Sequence, residues 1–281
     1  FMIDKGFIYF IPPFMIHGNV VEGVMSQTDM ESMMYKIEGE DLYLIGTSEH
    51  SMIGKFIDQI IPEDKLPQIS SILNGYTRLN GDRRPEATHP DTFKFVEGNE
   101  MMKELERCDK LDAALADIKK LIPNEAMDSF YGLVEFPTLG STNLRRMMIY
   151  KGMYDVIESY GASYANNLVD KINETIANDI ELVRKYNVDM SNGKWLHMMS
   201  SKHVDFKHWN DEDSCYPEVN KKSYPSAGKV LVSVEREAPS KDGVTSVITN
   251  LENNSVDIWV MSTGSSAVNP EVKVDDGHKV T

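Results

Sequence analysis

The sequence predicts an α+β protein in which a small β-rich N-terminal piece precedes an antiparallel helical bundle and a short β-strand C-terminal part. Two changes of hydrophobic period lead to this prediction. Apolar residues recur every three or four positions from about residue 91 onward, as they do on amphipathic helices. After Pro225 they alternate with polar residues, as they do in half-buried strands. The expected divisions are 1–67, 68–222 and 223–281, the last of which is an incomplete β-sandwich.

In the first division the sequence predicts a strand, a loop and a second strand. Residues 7–11 are β-branched and aromatic, and two prolines end the run. Residues 42–46 form the next apolar run after a polar loop. Residues 51–60 have helical spacing, and Pro62 ends that segment.

Four helical stripes are expected in the second division. The first ends at Pro123, the second at Pro137, the third covers 144–160 and the fourth covers 164–183. The first stripe is carried by Met101, Leu105, Cys108, Leu111, Leu115, Ile118 and Ile122. In the third division the alternating pattern predicts three short strands, at 230–234, 244–248 and 256–260.

Charge and composition limit the function classes. The chain has 29 Lys and Arg against 44 Asp and Glu, a net charge of −15, and residues 1–67 alone carry −7. An acidic chain is unsuited to non-specific binding of nucleic acid or of an anionic membrane, so neither partner is expected. Two cysteines without CxxC spacing indicate neither a disulfide scaffold nor a zinc site. No signal peptide is visible and the first residue is not Met, which suggests a start inside a longer reading frame and leaves localisation unassigned.

The first candidate site follows the second predicted strand. Thr47 and Glu49 place a hydroxyl and a carboxylate two residues apart, a pair that could hold a small ligand with an ammonium and a hydroxyl group. The alternative is a strand-to-helix turn in which Thr47 or Ser48 caps the helix.

The second candidate site is the segment 194–209, which is rich in histidine and tryptophan. The indole rings of Trp195 and Trp209 could stack on sugar rings, and His197 and His203 could hydrogen-bond them. A metal is a second possibility, with the ligands His197, His203, His208 and Asp205. The third is an irregular connection held in place by tryptophan packing. No catalytic residue, metal or cofactor is assigned, since no P-loop, GxGxxG or GxSxG pattern occurs.

Residues 1–67 resemble seryl-tRNA synthetases of the archaeal type. The resemblance is carried by IPPFM at 11–15, MYKIE at 34–38 and DLYLIGTSEH at 41–50. It implies that the prolines belong to the class II motif at the dimer interface, and that Thr47 and Glu49 contact serine. The resemblance ends before the motifs that bind ATP and before the tRNA arm.

Residues from about 69 to 281 resemble glycoside hydrolase family 115, the xylan α-1,2-glucuronidases. The motifs are ILNGYTRLN at 72–80, RRPE at 83–86, DSFYGLV at 128–134 and GKWLHMM at 193–199. The family has Gln, Gly and Tyr where this chain has Ser201, Asp205 and Phe206. The resemblance implies a helical domain and the start of a β-rich domain, and the family's catalytic carboxylate lies in an upstream barrel that has no counterpart here.

The function expected from the larger resemblance is that of a glucuronidase fragment, inactive alone, with a glucuronoxylan oligosaccharide as partner. The substrate-contacting residues would be Trp195, His197, His203 and Trp209. The alternatives are a seryl-tRNA synthetase-like fragment, whose parent function is serine activation, and a non-catalytic carbohydrate-binding or structural module.

Overall fold

A computed structural model describes residues 15–17, 34–44, 61–204, 215–239, 256–266, 269 and 271. Within these residues the α+β class is confirmed, because helices fill the middle of the chain and short strands lie on either side. The predicted strand at 7–11 and helix at 51–60 lie outside the described residues. The division of the chain at residues 67 and 222 stays a prediction.

The N-terminal strands form a two-stranded antiparallel sheet. β1 (Met15–His17) pairs with β2 (Leu42–Leu44), with His17 opposite Leu42. Lys36 bridges to Tyr43, and its ammonium lies 5.4 Å from the centre of the Tyr43 ring. Gly39, at φ +81°, makes the tight turn between them, since glycine adopts positive φ without a steric penalty. The predicted strand at 42–46 is thereby confirmed over the residues that are described.

The helices are α1 (Leu66–Asp82), α2 (Glu100–Lys119), α3 (Met127–Phe130), α4 (Phe136–Ser159) and α5 (Ala165–Arg184). α2 and α5 lie where the apolar stripes predicted them. Hydrophobic periodicity did not predict α1, which buries Ile69, Ile72, Leu73 and Leu79. None of the helices in the described ranges combines the length and the apolar character needed to cross a membrane.

The expected helix end at Pro137 is wrong. A five-residue π-helix, Tyr131–Glu135, joins α3 to α4, so the chain stays helical from Met127 to Ser159. Proline in a helix interior clashes with the carbonyl four residues before it. Here Pro137 is the second residue of α4, and one residue separates it from the wider π-turn, where the regular hydrogen-bond ladder is already interrupted.

The chain divides into two compact units, and each has its own core. The first unit comprises Phe1–Thr88, Arg107–Arg145 and Asp179–Ser214, and the second comprises His89–Glu106, Arg146–Asn178 and Cys215–Thr281. The first core contains Ile61, Ile69, Ile72, Leu73, Leu115, Ile118, Ile122, Ala126, Phe130 and Val134. The second contains Phe95, Met101, Ile149, Met153, Tyr154, Ile157, Ala162, Ala165, Leu168, Val169, Ile172 and Met261.

A β-hairpin pairing completes the second unit. β3 (Val230–Val234) and β4 (Ile258–Ser262) are antiparallel, with Val232 opposite Val260. Every second side chain of each strand turns inward, and Trp259 meets the ring of Phe95 edge-on at 5.5 Å. This alternation confirms the period-two prediction, although β4 is shifted two residues from the predicted 256–260. The predicted strand at 244–248 lies outside the described residues.

Candidate functional site

The histidine-rich segment leaves α5 by a sharp turn in the first unit. A π-helix, Lys185–Asp189, is followed by a 3-10 turn, Met190–Gly193, in which Ser191 and Asn192 have φ of 51° and 54°. The Ser191 N–H donates to the carboxylate of Asp128 at 2.7 Å. This bond ties the turn to α3 and fixes the direction in which the following residues run.

The described candidate residues of this segment lie in different environments. Trp195 is half-buried, and the ammonium of Lys194 lies 5.0 Å from the centre of its ring. His197 is exposed and has φ of 69°. His203 alone of the three contacts a buried acidic residue. Trp209 lies outside the described residues, as do Asp205, His208, Thr47 and Glu49, so the role of this set in substrate contact stays a prediction.

His203 forms an ion pair with Asp179 of α5. The imidazole Nε2–H donates to both carboxylate oxygens of Asp179, at 3.0 Å and 2.8 Å. The Asp179 side chain is 5% exposed and that of His203 is 38% exposed. The other ring nitrogen, Nδ1, lies 3.3 Å from the carbonyl oxygen of Ser201. Because both ring nitrogens face acceptors, the geometry favours the doubly protonated imidazolium.

The ion pair with Asp179 stabilises the protonated form of His203 in the folded state. The hydrogen bond that His203 donates to the Asp179 carboxylate raises the pKa of His203 above its ordinary value of 6.5, although partial burial opposes the shift. An imidazole with both nitrogens engaged is poorly suited to act as a general base. The arrangement therefore fastens the segment that follows α5 to that helix.

Protonation of His203 should make the first unit more stable at lower pH. The folded-state pKa lies above 6.5, so the stabilisation is complete below pH 6.5 and is lost as the pH rises through the folded-state pKa. We expect Asp179→Asn to remove this dependence, because an amide does not balance the imidazolium charge. Urea unfolding midpoints at about pH 6 and about pH 9 check it. Asp170→Asn, at an exposed aspartate of α5 paired with a lysine, is the control and should keep the pH dependence.

An apolar cavity of about 310 Å³ lies beside the ion pair, within the first unit. Its described walls come from α4, from the last turns of α5, from residues 198–203 and from Pro85. The apolar walls are formed by Pro85, Phe136, Pro137, Gly140, Leu144, Leu182, Val183, Met198 and Met199. The polar lining residues lie among Ser141, Asp179, Ser201, Lys202 and His203. The cavity therefore has a mainly apolar wall and one end with charged groups.

One of the two serine hydroxyls in the described lining, that of Ser141, is already engaged. Ser141 Oγ donates to the Pro137 carbonyl at 2.6 Å and accepts from the amide of Asn80 at 2.8 Å. The Asp179 carboxylate is likewise held by His203. The described lining residues could contact a ligand, but among them there is no activated nucleophile and no pair of carboxyl groups for hydrolysis. Within the described ranges no three His, Cys, Asp or Glu side chains come together as metal ligands.

Sequence reasoning did not identify Asp179, although a signal existed. Its position continues the buried stripe of α5 through Leu168, Ile172 and Thr175, at steps of four, three and four residues. A carboxylate on a buried stripe needs a partner, because an isolated buried charge is strongly unfavourable. The partner, His203, lies 24 residues away, and helix periodicity gives no indication of it.

A second buried carboxylate, that of Glu135, lies at the end of the π-helix Tyr131–Glu135. Glu135 is 5% exposed, and its Oε1 accepts from Lys119 Nζ at 2.7 Å, with Lys185 Nζ at 3.7 Å. Its Oε2 is buried without a hydrogen-bond partner in the part of the chain that the structure describes. The Lys185 ammonium also lies 3.9 Å from the centre of the Tyr131 ring. Because Glu135 is engaged by two lysines, this cluster has the character of a structural ion pair.

The chain is similar to serine--tRNA ligases over a short stretch. The ligase of Thermococcus sibiricus is 53% identical over 66 residues, which are 24% of this chain and 14% of the relative. The ligase of Thermococcus onnurineus is 50% identical over 66 residues, with the same coverage, and that of Methanoculleus marisnigri 44%, covering 24% and 16%. The chain thus spans only a small part of these relatives. No protein-family model matches the chain.

These matches support the seryl-tRNA synthetase resemblance and lend no support to the glucuronidase resemblance. The expectations about two partners, nucleic acid and glucuronoxylan, are therefore corrected. The expectation of no nucleic-acid partner is wrong, because the matched relatives are tRNA ligases and tRNA is a nucleic acid. A net charge of −15 argues only against non-specific binding and says nothing about a specific site on a longer protein. Glucuronoxylan is likewise not supported as a partner.

Proposed function

We propose that residues 1–67 are part of a serine--tRNA ligase-like protein and that they recognise L-serine through Thr47 and Glu49. The observation that carries this proposal is the 53% identity over 66 residues with the Thermococcus sibiricus ligase. The antiparallel pair of β1 and β2 supports it, since Thr47 and Glu49 come three and five residues after the end of β2.

The chemistry of the two side chains matches the two polar ends of serine. A carboxylate accepts hydrogen bonds from an ammonium group, and such charge-assisted bonds are about twice as strong as neutral ones. A hydroxyl both donates and accepts, so Thr47 would contact the serine hydroxyl or carboxylate. Residues two apart in an extended chain face the same side, which would direct both groups to one ligand.

The activity of the longer protein follows from the same proposal. It would join serine to tRNA, with serine and tRNA as substrates and with ATP supplying the energy. Activation of serine needs cations positioned around the phosphates of ATP. No such motif is recognisable in this chain, so we assign serine recognition to it and leave activation to the longer protein.

We expect this chain to bind serine without activating it. Equilibrium dialysis with radiolabelled L-serine should show one saturable site, and serine-dependent exchange between ATP and pyrophosphate should stay at background. Exchange that is lost in Glu49→Ala would show that the chain contains a complete activation site. Failure to bind serine at any concentration up to saturation of the assay would overturn the proposed recognition.

A further inference from the structure

We propose that a cavity beside Phe95, in the second unit, binds an α-amino acid with an apolar side chain. The ammonium of the ligand contacts Asp91 and its carboxylate contacts Lys94. The described lining of this cavity, named here the Phe95 cavity, comes from the loop before α2, from the first turn of α2 and from α4. Serine recognition is assigned to residues 1–67, so the Phe95 cavity gives a binding role to a part of the chain that the proposed function does not use.

The size of the Phe95 cavity suits a small ligand. Its volume is about 220 Å³, whereas pockets for drug-sized ligands have about 300–1,000 Å³. A water molecule takes about 30 Å³ of the liquid, so the cavity has the volume of about seven water molecules. This is the scale of a single amino acid, and it is too small for a peptide or a nucleotide.

The walls of the cavity favour an apolar side chain on that ligand. The apolar lining residues include Phe93, Phe95, Met101 and Val156, and Phe95 and Met101 are 4% and 2% exposed. An apolar side chain that packs against such residues releases water from both surfaces. A polar side chain would give up its hydrogen bonds to water without a partner among these walls.

The charged lining residues favour a zwitterion. Asp91 and Lys94 are exposed, and within the described residues neither side chain has an ion-pair or hydrogen-bond partner. The third charged residue of the described lining, Asp155, is neutralised by Lys151, whose Nζ lies 2.6 Å and 2.7 Å from the two carboxylate oxygens. One carboxylate and one ammonium therefore remain for a ligand. They match the ammonium and the carboxylate of an amino acid, and such charge-assisted bonds are about twice as strong as neutral ones.

Backbone contacts hold the loop that carries both charges. The Lys94 N–H donates to the Glu100 carboxylate at 2.8 Å, and the Lys94 carbonyl oxygen accepts from the Met101 N–H at 3.2 Å. On the other side of Asp91, the His89 N–H donates to Thr92 Oγ1 at 2.8 Å. Because these bonds order the loop before a ligand binds, they lower the entropic cost of binding.

The test is an NMR titration of the isotope-labelled whole chain with L-leucine and three analogues. Isopentylamine lacks the carboxylate of leucine, isocaproate lacks its ammonium, and glycine lacks its side chain. We expect saturable binding of leucine that shifts the amide signals of residues 90–95. Each analogue should bind about fivefold more weakly or worse, because each loses one of the three contacts.

Two variants separate the two charges of the site. Asp91→Asn should lower the affinity for leucine about fivefold or more and leave that for isocaproate unchanged. Lys94→Gln should lower the affinity for leucine to a similar extent and leave that for isopentylamine unchanged. Glu97→Gln, in the same loop, and Lys103→Gln, in α2, are the matched controls, because both residues are exposed and neither is in the described lining. Both controls should bind leucine like the wild type.

Three results would overturn the proposal, with thermal unfolding confirming that each variant is folded. The first is equal leucine affinity in the wild type, Asp91→Asn and Lys94→Gln. The second is leucine binding that is lost in Glu49→Gln and kept in Asp91→Asn, because leucine would then occupy the residues assigned to serine. The third is the absence of saturable leucine binding, a result that leaves the serine titration unaffected.

Discussion

Gly152→Ala is expected to destabilise the second unit by about 3 kcal/mol or more. Gly152 lies in α4, and a Cβ at this position would be 2.1 Å from the carbonyl oxygen of Pro90 and 2.6 Å from the terminal methyl of Met101. The methionine side chain can move, but the Pro90 carbonyl is backbone. The two segments must therefore separate, which disturbs the packing of Met101 in the second core.

Gly140→Ala is the matched control for this substitution. Both glycines lie in α4, but the Cβ at 140 meets nothing within 4 Å. Alanine is favoured over glycine in a helix by about 0.5–1 kcal/mol, so Gly140→Ala should stabilise the protein. Chemical unfolding followed by circular dichroism measures both changes. Equal effects of the two substitutions would show that the close contact between α4 and Pro90 is not present in solution.

Arg145→Met is expected to destabilise the first unit by about 3 kcal/mol. Arg145 is 2% exposed and extends from α4 to the C-terminal end of α1. Its guanidinium donates to the carbonyl oxygens of Leu79 and of Arg83, the latter at 3.1 Å. Helix C-termini leave carbonyl groups without intrahelical donors, and a cation there also interacts favourably with the helix dipole. Methionine keeps most of the volume and removes every donor.

The size of this effect is checked by urea unfolding of Arg145→Met, Arg145→Lys and Arg78→Met. Lysine keeps the charge but lacks the planar fork of donors, so it should recover only part of the loss. Arg78 is an exposed arginine of α1, and its replacement should change the stability by less than about 0.5 kcal/mol. A loss in Arg145→Met no larger than that in Arg78→Met would contradict a capping role for Arg145.

Sequence periodicity predicted the elements that carry a long, regular apolar stripe. The stripe of α2 and that of α5 were predicted within a few residues, because their apolar positions repeat at steps of three and four. α1 was not predicted, since Gly75 and Gly81 lower helix propensity. Gly75 is explained by packing, because a Cβ there would lie 2.1 Å from the Leu111 side chain. The formation of α1 therefore depends on a tertiary contact that the sequence of this segment alone does not reveal.

The candidate sites show the same limit. His203 was identified because the segment 194–209 is unusually rich in histidine and tryptophan. Its partner Asp179 and the cavity at α4 depend on contacts between segments that are distant in the sequence. The π-turn before Pro137 was missed for a related reason: local rules treat proline as a helix end, and the turn accommodates it in the second position of α4. The net charge also led to a wrong expectation about nucleic acid, because net charge bears on non-specific binding alone.

The central claim, that this chain carries the serine-recognition element of a serine--tRNA ligase-like protein, is tested most directly by calorimetric titration with L-serine. The wild type should bind serine and bind L-alanine, which lacks the hydroxyl, more weakly. Glu49→Gln should lower serine affinity by about tenfold to a hundredfold, because a charge-assisted bond to the ammonium is lost. Glu40→Gln, at an exposed glutamate of the turn before β2, should leave the affinity unchanged. Equal serine affinity in all three proteins, or none in the wild type, would contradict the claim.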